Sequence, residues 1–424
     1  MSKSGRPRVL LTEGSSCTAR TVLYALGGEY EIDILDPSAI CQGRFSRYVR
    51  RWIRSPRFSQ APTRFVEFLA ELLERQHYDV VFPTHEEIFA ISRFQDRIGR
   101  LAGLALSSFE SVDALISKAN FSRLLVELGI PQPQTTIVST AEELAAPWEY
   151  PVYVKSAVGT AGSGVRLVRN SGEMQTHIDQ LQLAGRLEGS LEYLVQQPAT
   201  GTHGSISAVF QRGEMVGWHS CAARRLGVGG APMAHVSTHI PAVVEYVEQI
   251  GKHLDWHGAA FFDFFHDEAT GEVAFIEGNP RIWQTVNGLR SGVNLSQLVV
   301  DISLNKTVER LPPGETGVRT HEAYLMLMAR ALEGATRREL LGEMARCWKR
   351  EDLYSTSEDE LTRLADDWLS GIPYTAIAAQ LLVTPRLAAK IVADTVANYS
   401  LSPQGARDIR AGREREPVAA AIST

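Results

Sequence analysis

The stretch Ala274-Phe275-Ile276-Glu277-Gly278-Asn279-Pro280-Arg281 carries a carboxylate, an amide and a guanidinium at two-residue spacing. Its apolar start reads as a buried strand. Side chains two apart on a strand share a face, so Glu277, Asn279 and Arg281 could converge on one ligand. Two hard oxygen donors suit Mg²⁺, which completes its shell with water and nucleotide phosphates. A guanidinium gives a two-pronged fit to phosphate or carboxylate. Upstream, Phe261-Phe262-Asp263-Phe264-Phe265 sets a lone acid in an apolar run. His266 to Glu272, with Thr270-Gly271, reads as a hairpin turn, so Asp263 could face Glu277 across two antiparallel strands. A hairpin with a surface salt bridge is the plainer alternative.

A second constellation surrounds Lys155. Pro151 to Lys155 reads as a strand, and Ser156-Ala157-Val158-Gly159-Thr160-Ala161-Gly162-Ser163-Gly164 follows. Gly159, Gly162 and Gly164 admit positive φ and leave backbone N–H groups free to approach phosphate oxygens. Val165 to Val168 is the next strand. The loop therefore lies between two strands, so it is neither a dinucleotide fingerprint nor a P-loop. Further on, Arg224-Arg225-Leu226-Gly227-Val228-Gly229-Gly230 reads as a mobile basic loop. His219, His239 and His257 read as hydrogen-bonded structural histidines.

The elements that must position these residues alternate at first. Val9-Leu10-Leu11 is a strand, Ser15 to Ala25 a helix, Glu31 to Leu35 a strand, Phe65 to Gln76 a helix, and Asp79 to Thr84 a strand. That order predicts a parallel, doubly wound α/β sheet. Between them Arg44, Arg47, Arg50, Arg51, Arg54 and Arg57 accompany Phe45, Tyr48 and Trp52. This segment could bind an anionic substrate, but reads better as a solvated loop-helix with aromatics packed inward. Thr84-His85-Glu86-Glu87 stands at a strand's C-terminal end, where open sheets bind ligands. A helix start with acids near its positive end explains it equally well. Ser117 to Leu128 is a helix stopped by Gly129-Ile130-Pro131. Leu191 to Val195 is a strand, Ile206 to Phe210 and Met215 to His219 a hairpin around Arg212-Gly213, and Ala242 to Leu254 a helix. From about Thr316 the chain reads as almost wholly helical. Residues beyond about Leu401 read as disordered.

Composition bounds the reading. The chain has 424 residues, 44% hydrophobic content and a net charge of −6, with pI about 6.0 and mean hydropathy −0.11. Its length suggests about three domains. The balance argues against nucleic acid or a membrane surface as partner. Cys17, Cys41, Cys221 and Cys347 are far apart, which fits a reducing cytosol rather than a disulfide framework. Met1 to Arg8 lacks the apolar core of a signal peptide, and no apolar run approaches a spanning helix.

From Arg8 to Lys306 the ordered motifs resemble the ATP-grasp superfamily, in particular its carbamoyl-phosphate-synthase-like ligases. They are Lys118 before a helix ending Gly-Ile-Pro, Lys155 followed by Gly-Thr-Ala-Gly-Ser-Gly, the Leu-Val-Gln-Gln hinge, His257-Gly258 before Phe-Phe-Asp, and Glu277-Gly-Asn-Pro-Arg281. The resemblance implies an α/β and α+β chain in five parts. These are a pre-ATP-grasp domain (1–112), an N-lobe with a Gly-rich lid (113–195), a C-lobe with the Mg/ATP site (196–308), a helical C-terminal region (309–402) and a disordered tail (403–424). It further implies that Lys118 and Lys155 contact ATP phosphates and that the loop Gly159 to Gly164 closes over them. The hinge would hold adenine through the backbone at Gln197 and Ala199, with Gln196 nearby. Asp263, Glu277 and Asn279 would hold Mg²⁺, and Arg281 would bind the transferring phosphoryl group or acyl phosphate. Arg224 is a second candidate catalytic arginine, with a plain loop charge as its alternative.

Two positions depart from the family pattern. Thr202-His203-Gly204 stands where a ribose-binding Glu is common, leaving His203 or another residue for that task. Gln197 stands where Glu is usual. The activity implied is carboxylate–amine ligation through an acyl phosphate, with ADP released. The rivals are a bicarbonate-using carboxylase or carbamoyl-phosphate-type enzyme and a non-catalytic ATP-binding regulator. The implied partners are a small carboxylate and amine, amino acids among them, with no nucleic acid and no membrane. A homodimer is compatible with this reading. Tyr374 to Pro385 loosely matches a helix-turn-helix, but few basic residues accompany it, which favours a packed helical cap.

Overall fold

The computed structural model describes residues 5–160, 162, 164–187, 191–227 and 230–412. Three sheets organise them. The first is all parallel: β1 (Arg8–Leu11), β2 (Glu31–Asp36), β3 (Val49–Arg54) and β4 (Val80–Phe82), in the order β3-β2-β1-β4. Helices Cys17–Leu26 and Pro62–Arg75 cross between strands, as the alternation predicted. The arginine-rich segment is a strand, not the expected loop-helix. Its position at the sheet edge leaves its arginines outward, and Arg50 and Arg51 pair with the buried Asp33 at 2.5 and 3.1 Å. An edge strand needs no apolar alternation, and its charges discourage edge-to-edge pairing.

The second sheet is antiparallel: β5 (Thr135–Val138), β6 (Val152–Ser156), β7 (Val165–Val168) and β8 (Tyr193–Gln196), ordered β5-β8-β6-β7. One face covers a small apolar core with Leu144, Met174 and Ile178. The helix Lys118–Leu128 joins this unit to the third sheet; Ser117 caps its start and Gly129, in the left-handed region, ends it.

The third sheet has seven strands: β9 (Thr202–Gln211), β10 (Glu214–Leu226), β11 (Pro232–Thr238), β12 (Gly258–His266), β13 (Val273–Asn279), β14 (Arg319–His321) and β15 (Ser357–Asp359). Their order is β13-β12-β9-β10-β11-β14-β15. The turn between β9 and β10 has positive φ at both Arg212 and Gly213, as a tight hairpin requires. Three corrections follow. Arg224 to Leu226 extend β10 rather than forming a loop. The C-terminal region is not wholly helical, because β14 and β15 extend this sheet. The tail is ordered over the helix Pro403–Arg410, whose Ala406 and Ile409 are buried in the core with Phe58, Phe65 and Phe89. Arg410 clasps Asp113 at 2.6 and 3.0 Å. Residues 413–424 of the expected tail lie outside the described residues, as do Ala161 and Ser163 of the glycine loop and Val228 and Gly229. The helix-turn-helix candidate is two helices, Gly371–Val383 and Leu387–Tyr399, packed on Tyr324, Leu327 and Leu340.

Candidate active site

The expected hairpin forms, and Asp263 stands directly opposite Glu277. Along β12 the period of two is strict. Phe262 and Phe264 face the core at 1% exposure, leaving Phe261, Asp263 and Phe265 to the other side. On β13 that period would put Phe275 and Glu277 on one face. A register shift resolves the conflict: Asp263 pairs with Glu277 but Phe264 with Phe275, leaving Ile276 as the extra residue. This bulge lets Phe275 enter the core while Glu277 and Asn279 face the site. Gly278 is required for close approach. A Cβ there would lie 2.9 Å from the Phe121 ring, so the helix Lys118–Leu128 lies directly on the strand.

That packing brings Lys118 to Glu277. Its Nζ is 3.2 Å from Glu277 Oε1 and donates to the Gly159 carbonyl at 3.1 Å. The lysine is buried, and its own N–H donates to Ala157 O at 2.8 Å. Lys155 projects from β6 and donates to Gln196 Oε1 at 2.6 Å; Gln196 Nε2 donates to Thr135 Oγ1 at 2.8 Å. Burial lowers the Lys155 ammonium to about 8, with Lys118 adding to the effect and Glu277 and Asp263 opposing it. Gln197 N–H donates to Gln134 O at 2.9 Å and its side chain to Glu149 O. The Gln197 carbonyl is thus the group this hinge residue has left for a base. Ala199 follows, half-buried, in the irregular segment before β9.

Asp263 is pushed well above the usual carboxylate range by burial and then by Glu277; Arg281, Lys155 and Lys118 only partly offset this. Two half-buried carboxylates face each other across β12 and β13, where a cation between them would relieve their repulsion. The donor set therefore fits Mg²⁺. Among the described residues no three His, Cys, Asp or Glu side chains group to hold a metal alone; Asn279, two residues past Glu277 on β13, would add an amide oxygen to the pair. His203 sits with Nε2 3.4 Å from Asp263 Oδ1 and its ring edge-on to Phe265. Burial holds its imidazole down to about 4. That position is against the carboxylate pair rather than out at the hinge.

Arg281 lies just past β13, its guanidinium over the rings of Phe261 and Trp283 at 5.3 and 5.5 Å. Its Nε and Nη1 are buried and without hydrogen-bond partners. Both are therefore free to donate to an anionic group brought beside them. Arg224 is not part of this group: its guanidinium donates to Leu353 O at 3.2 Å. Gly162 and Gly164 have positive φ, and Gly164 O accepts from Ser156 N at 2.9 Å, which closes the base of the loop.

Two residues join the site from the first sheet. Burial lowers His85 to about 4, and Arg281 adds to the effect. Burial alone would lift Glu86, but His85, Arg281 and Lys118 reverse this and hold it below its usual range. Their place at a strand's C-terminal end was visible in the sequence; their meeting with Arg281 was not.

Residues 117–195 match the family model for the carbamoyl-phosphate synthase L chain, ATP binding domain. The chain is 25% identical over 228 residues to the carbamoyl phosphate synthase large chain of Thermus thermophilus, covering 50% of this chain and 21% of that protein. It thus spans about a fifth of the length of the curated relatives it matches. The fold is similar to the biotin carboxylase domain of Hydrogenobacter thermophilus 2-oxoglutarate carboxylase, solved with MgADP and bicarbonate. The TM-score is 0.58, with 16% identity and 73% of each chain covered. It is also similar to an L-amino acid ligase from Bacillus licheniformis, with TM-score 0.57, 15% identity, and 75% of this chain and 80% of that one covered. With the two lysines, the glycine loop and the Glu-Gly-Asn-Pro-Arg strand in place, residues 117–195 form an ATP-binding segment of the carbamoyl-phosphate-synthase type, set in a fold similar to that of ATP-grasp enzymes.

Proposed function

We propose that the protein is an ATP-dependent ligase that joins a carboxylate to an amine through an acyl phosphate, releasing ADP and phosphate. The observation that carries this reading is the Asp263–Glu277 pair set with the buried Lys118 and Lys155, followed two residues past β13 by Arg281, whose Nε and Nη1 are buried without partners. A carboxylate oxygen is a poor leaving group, and phosphorylation makes it a good one. The chain's residues divide the work. Lys155 and Lys118 neutralise ATP phosphates, and Gln197 and Ala199 hold the base through their backbone. Asp263, Glu277 and Asn279 would hold Mg²⁺, which supplies charge neutralisation at the phosphates when bound. Arg281 holds the carboxylate, then the acyl phosphate, in line with the γ-phosphate. The loop from Gly159 to Gly164 covers the intermediate and keeps water from it. An amine then attacks the acyl carbon and phosphate departs.

A second reading takes bicarbonate as the carboxylate, and the match to carbamoyl phosphate synthase favours it. Either reaction suits a cytoplasmic enzyme of small molecules. Among the described residues no helix is long and apolar enough to cross a membrane. The test is ADP release with MgATP over paired small acids, amino acids and amines, with bicarbonate as a separate arm and mass spectrometry of products. Amide product with stoichiometric ADP supports the ligase. ADP release that needs only bicarbonate and an amine supports the second reading. Release indifferent to every acid overturns both.

A further inference from the structure

Trp283 stands two residues past Arg281, and it is fixed at both its backbone and its ring. Its N–H donates to Ser207 Oγ at 3.1 Å, and the same hydroxyl donates to the Trp283 carbonyl at 2.8 Å. That ties the Trp283 backbone to β9. The indole stacks on Phe261, with ring centroids 5.9 Å apart and planes at 28°. Arg281 Cζ lies 5.5 Å from the indole and 5.3 Å from the Phe261 ring. The indole N–H is held by Gln284. The amide orientation that satisfies both ends of Gln284 has its oxygen accepting from Trp283 Nε1 at 2.8 Å and from His235 Nε2 at 2.7 Å. Its nitrogen then donates to Glu360 Oε1 at 3.2 Å. His235 Nδ1 lies 3.2 Å from the same carboxylate oxygen.

These three side chains are deeply buried: His235 is 0% exposed, Glu360 1% and Gln284 5%. Burying an acid and an amide is costly unless their polar atoms are matched, and apolar residues would fill the space without that cost. Gln284 also has a positive φ of 53°, which a residue other than glycine holds only where its surroundings impose it. The three come from separate parts of the chain. His235 lies on β11, Gln284 just past β13, and Glu360 just past β15, where its N–H donates to His321 O at 2.8 Å. β14 and β15 therefore deliver an acid to the amide that holds the indole.

We propose that Gln284, His235 and Glu360 are positioning residues for Arg281: they fix the Trp283 indole, and the indole with Phe261 fixes the guanidinium so that Nε and Nη1 stay buried and unpaired for an anionic group. The C-terminal region then completes the site instead of only capping it. What Arg281 binds rests on the ligase reading; how Arg281 is held does not.

The test uses the full chain with Gln284→Leu, Glu360→Leu and Glu360→Gln. Leucine fills the space without hydrogen bonds, and glutamine at 360 restores an acceptor oxygen. The first readout is exchange of the Arg281 Nε–H with water, followed by ¹⁵N NMR and assigned by loss of the signal in Arg281→Lys. Both leucine variants are expected to speed this exchange at least about tenfold, and Glu360→Gln to stay near wild type. The second readout is MgATP-dependent ADP release with ammonium as the amine and either L-alanine or bicarbonate as the acid. Here the leucine variants are expected to lower kcat about tenfold with KM for ATP unchanged, and Glu360→Gln to restore it. Wild-type exchange at Arg281 in folded leucine variants overturns the inference, even where turnover or melting temperature falls, because such a loss is structural only. If neither leucine variant folds, Trp283→Phe, which keeps a ring and loses the indole N–H, must show the faster exchange, and an unchanged rate overturns the inference. If wild type releases no ADP with either acid, the ligase reading fails for these substrates and the exchange rates alone decide the positioning role.

Discussion

Lys118 and Glu277 form an ion pair at 3.2 Å that joins the start of one helix to the β13 member of the carboxylate pair. The same ammonium holds the Gly159 carbonyl at 3.1 Å, so one side chain latches the glycine loop to the metal-binding strand. We expect Lys118→Ala to weaken ATP binding at least about tenfold, measured by calorimetric titration. Stability should fall by only about 1 kcal/mol, because Glu277 is partly open to solvent. Unchanged ATP affinity would place this lysine outside phosphate binding.

Replacing both Glu277→Gln and Asn279→Ala should abolish Mg²⁺-dependent turnover while circular dichroism stays native. Chelation of wild type should give the same loss, reversed by added Mg²⁺. Near-normal turnover in the double variant would remove β13 from the metal site.

Lys155 is held near 8 by burial, and that gives a pH signature. Above that value the free enzyme loses the charge its phosphate contact needs. We expect kcat/KM for ATP to fall as pH rises through about 8. Lys155→Arg should flatten the profile, since guanidinium stays charged. A wild-type profile flat to pH 10 would mean that another group carries the contact.

Burial holds His219 and His321 down to about 4 in the folded chain. Unfolded histidine titrates near 6.5. Between these values the unfolded state binds more protons, so stability falls as pH drops from about 6.5 toward 4. Urea denaturation at stepped pH should show this slope. His219→Asn should reduce it, and an unchanged slope would clear His219 of the role.

The tail helix offers a packing test. Ile409 is 6% exposed in the N-terminal core. Truncation of such a residue costs about 2–5 kcal/mol. Ile409→Ala should lower the urea midpoint accordingly, and a shift within error would detach the helix from the core.

What could be read without coordinates follows from range. Asp263, Glu277, Asn279, Lys118 and Lys155 were legible because each sits in a strong local pattern, and β12 and β13 are sequence neighbours joined by a short turn. β3 was not, because an edge strand of Val, Trp, Ile and three arginines has no buried face to impose alternation. β14 and β15 have three residues each, shorter than any period can show. The helix Pro403–Arg410 hides three buried residues, Gly405, Ala406 and Ile409, in a polar sequence. The bulge at Ile276 exchanges the two faces of β13 with no residue to announce it. Least legible is the stacking of Tyr399 on His85, which come from distant parts of the chain and meet only after folding.

The most direct test follows oxygen. With ¹⁸O in the substrate carboxylate, an acyl phosphate must pass one labelled oxygen to inorganic phosphate when the amine displaces it. We predict one labelled oxygen per phosphate released, one ADP per amide formed, and a rate at least about tenfold lower in Arg281→Lys. Label remaining wholly in the organic product, or AMP and pyrophosphate in place of ADP, would contradict the acyl-phosphate mechanism.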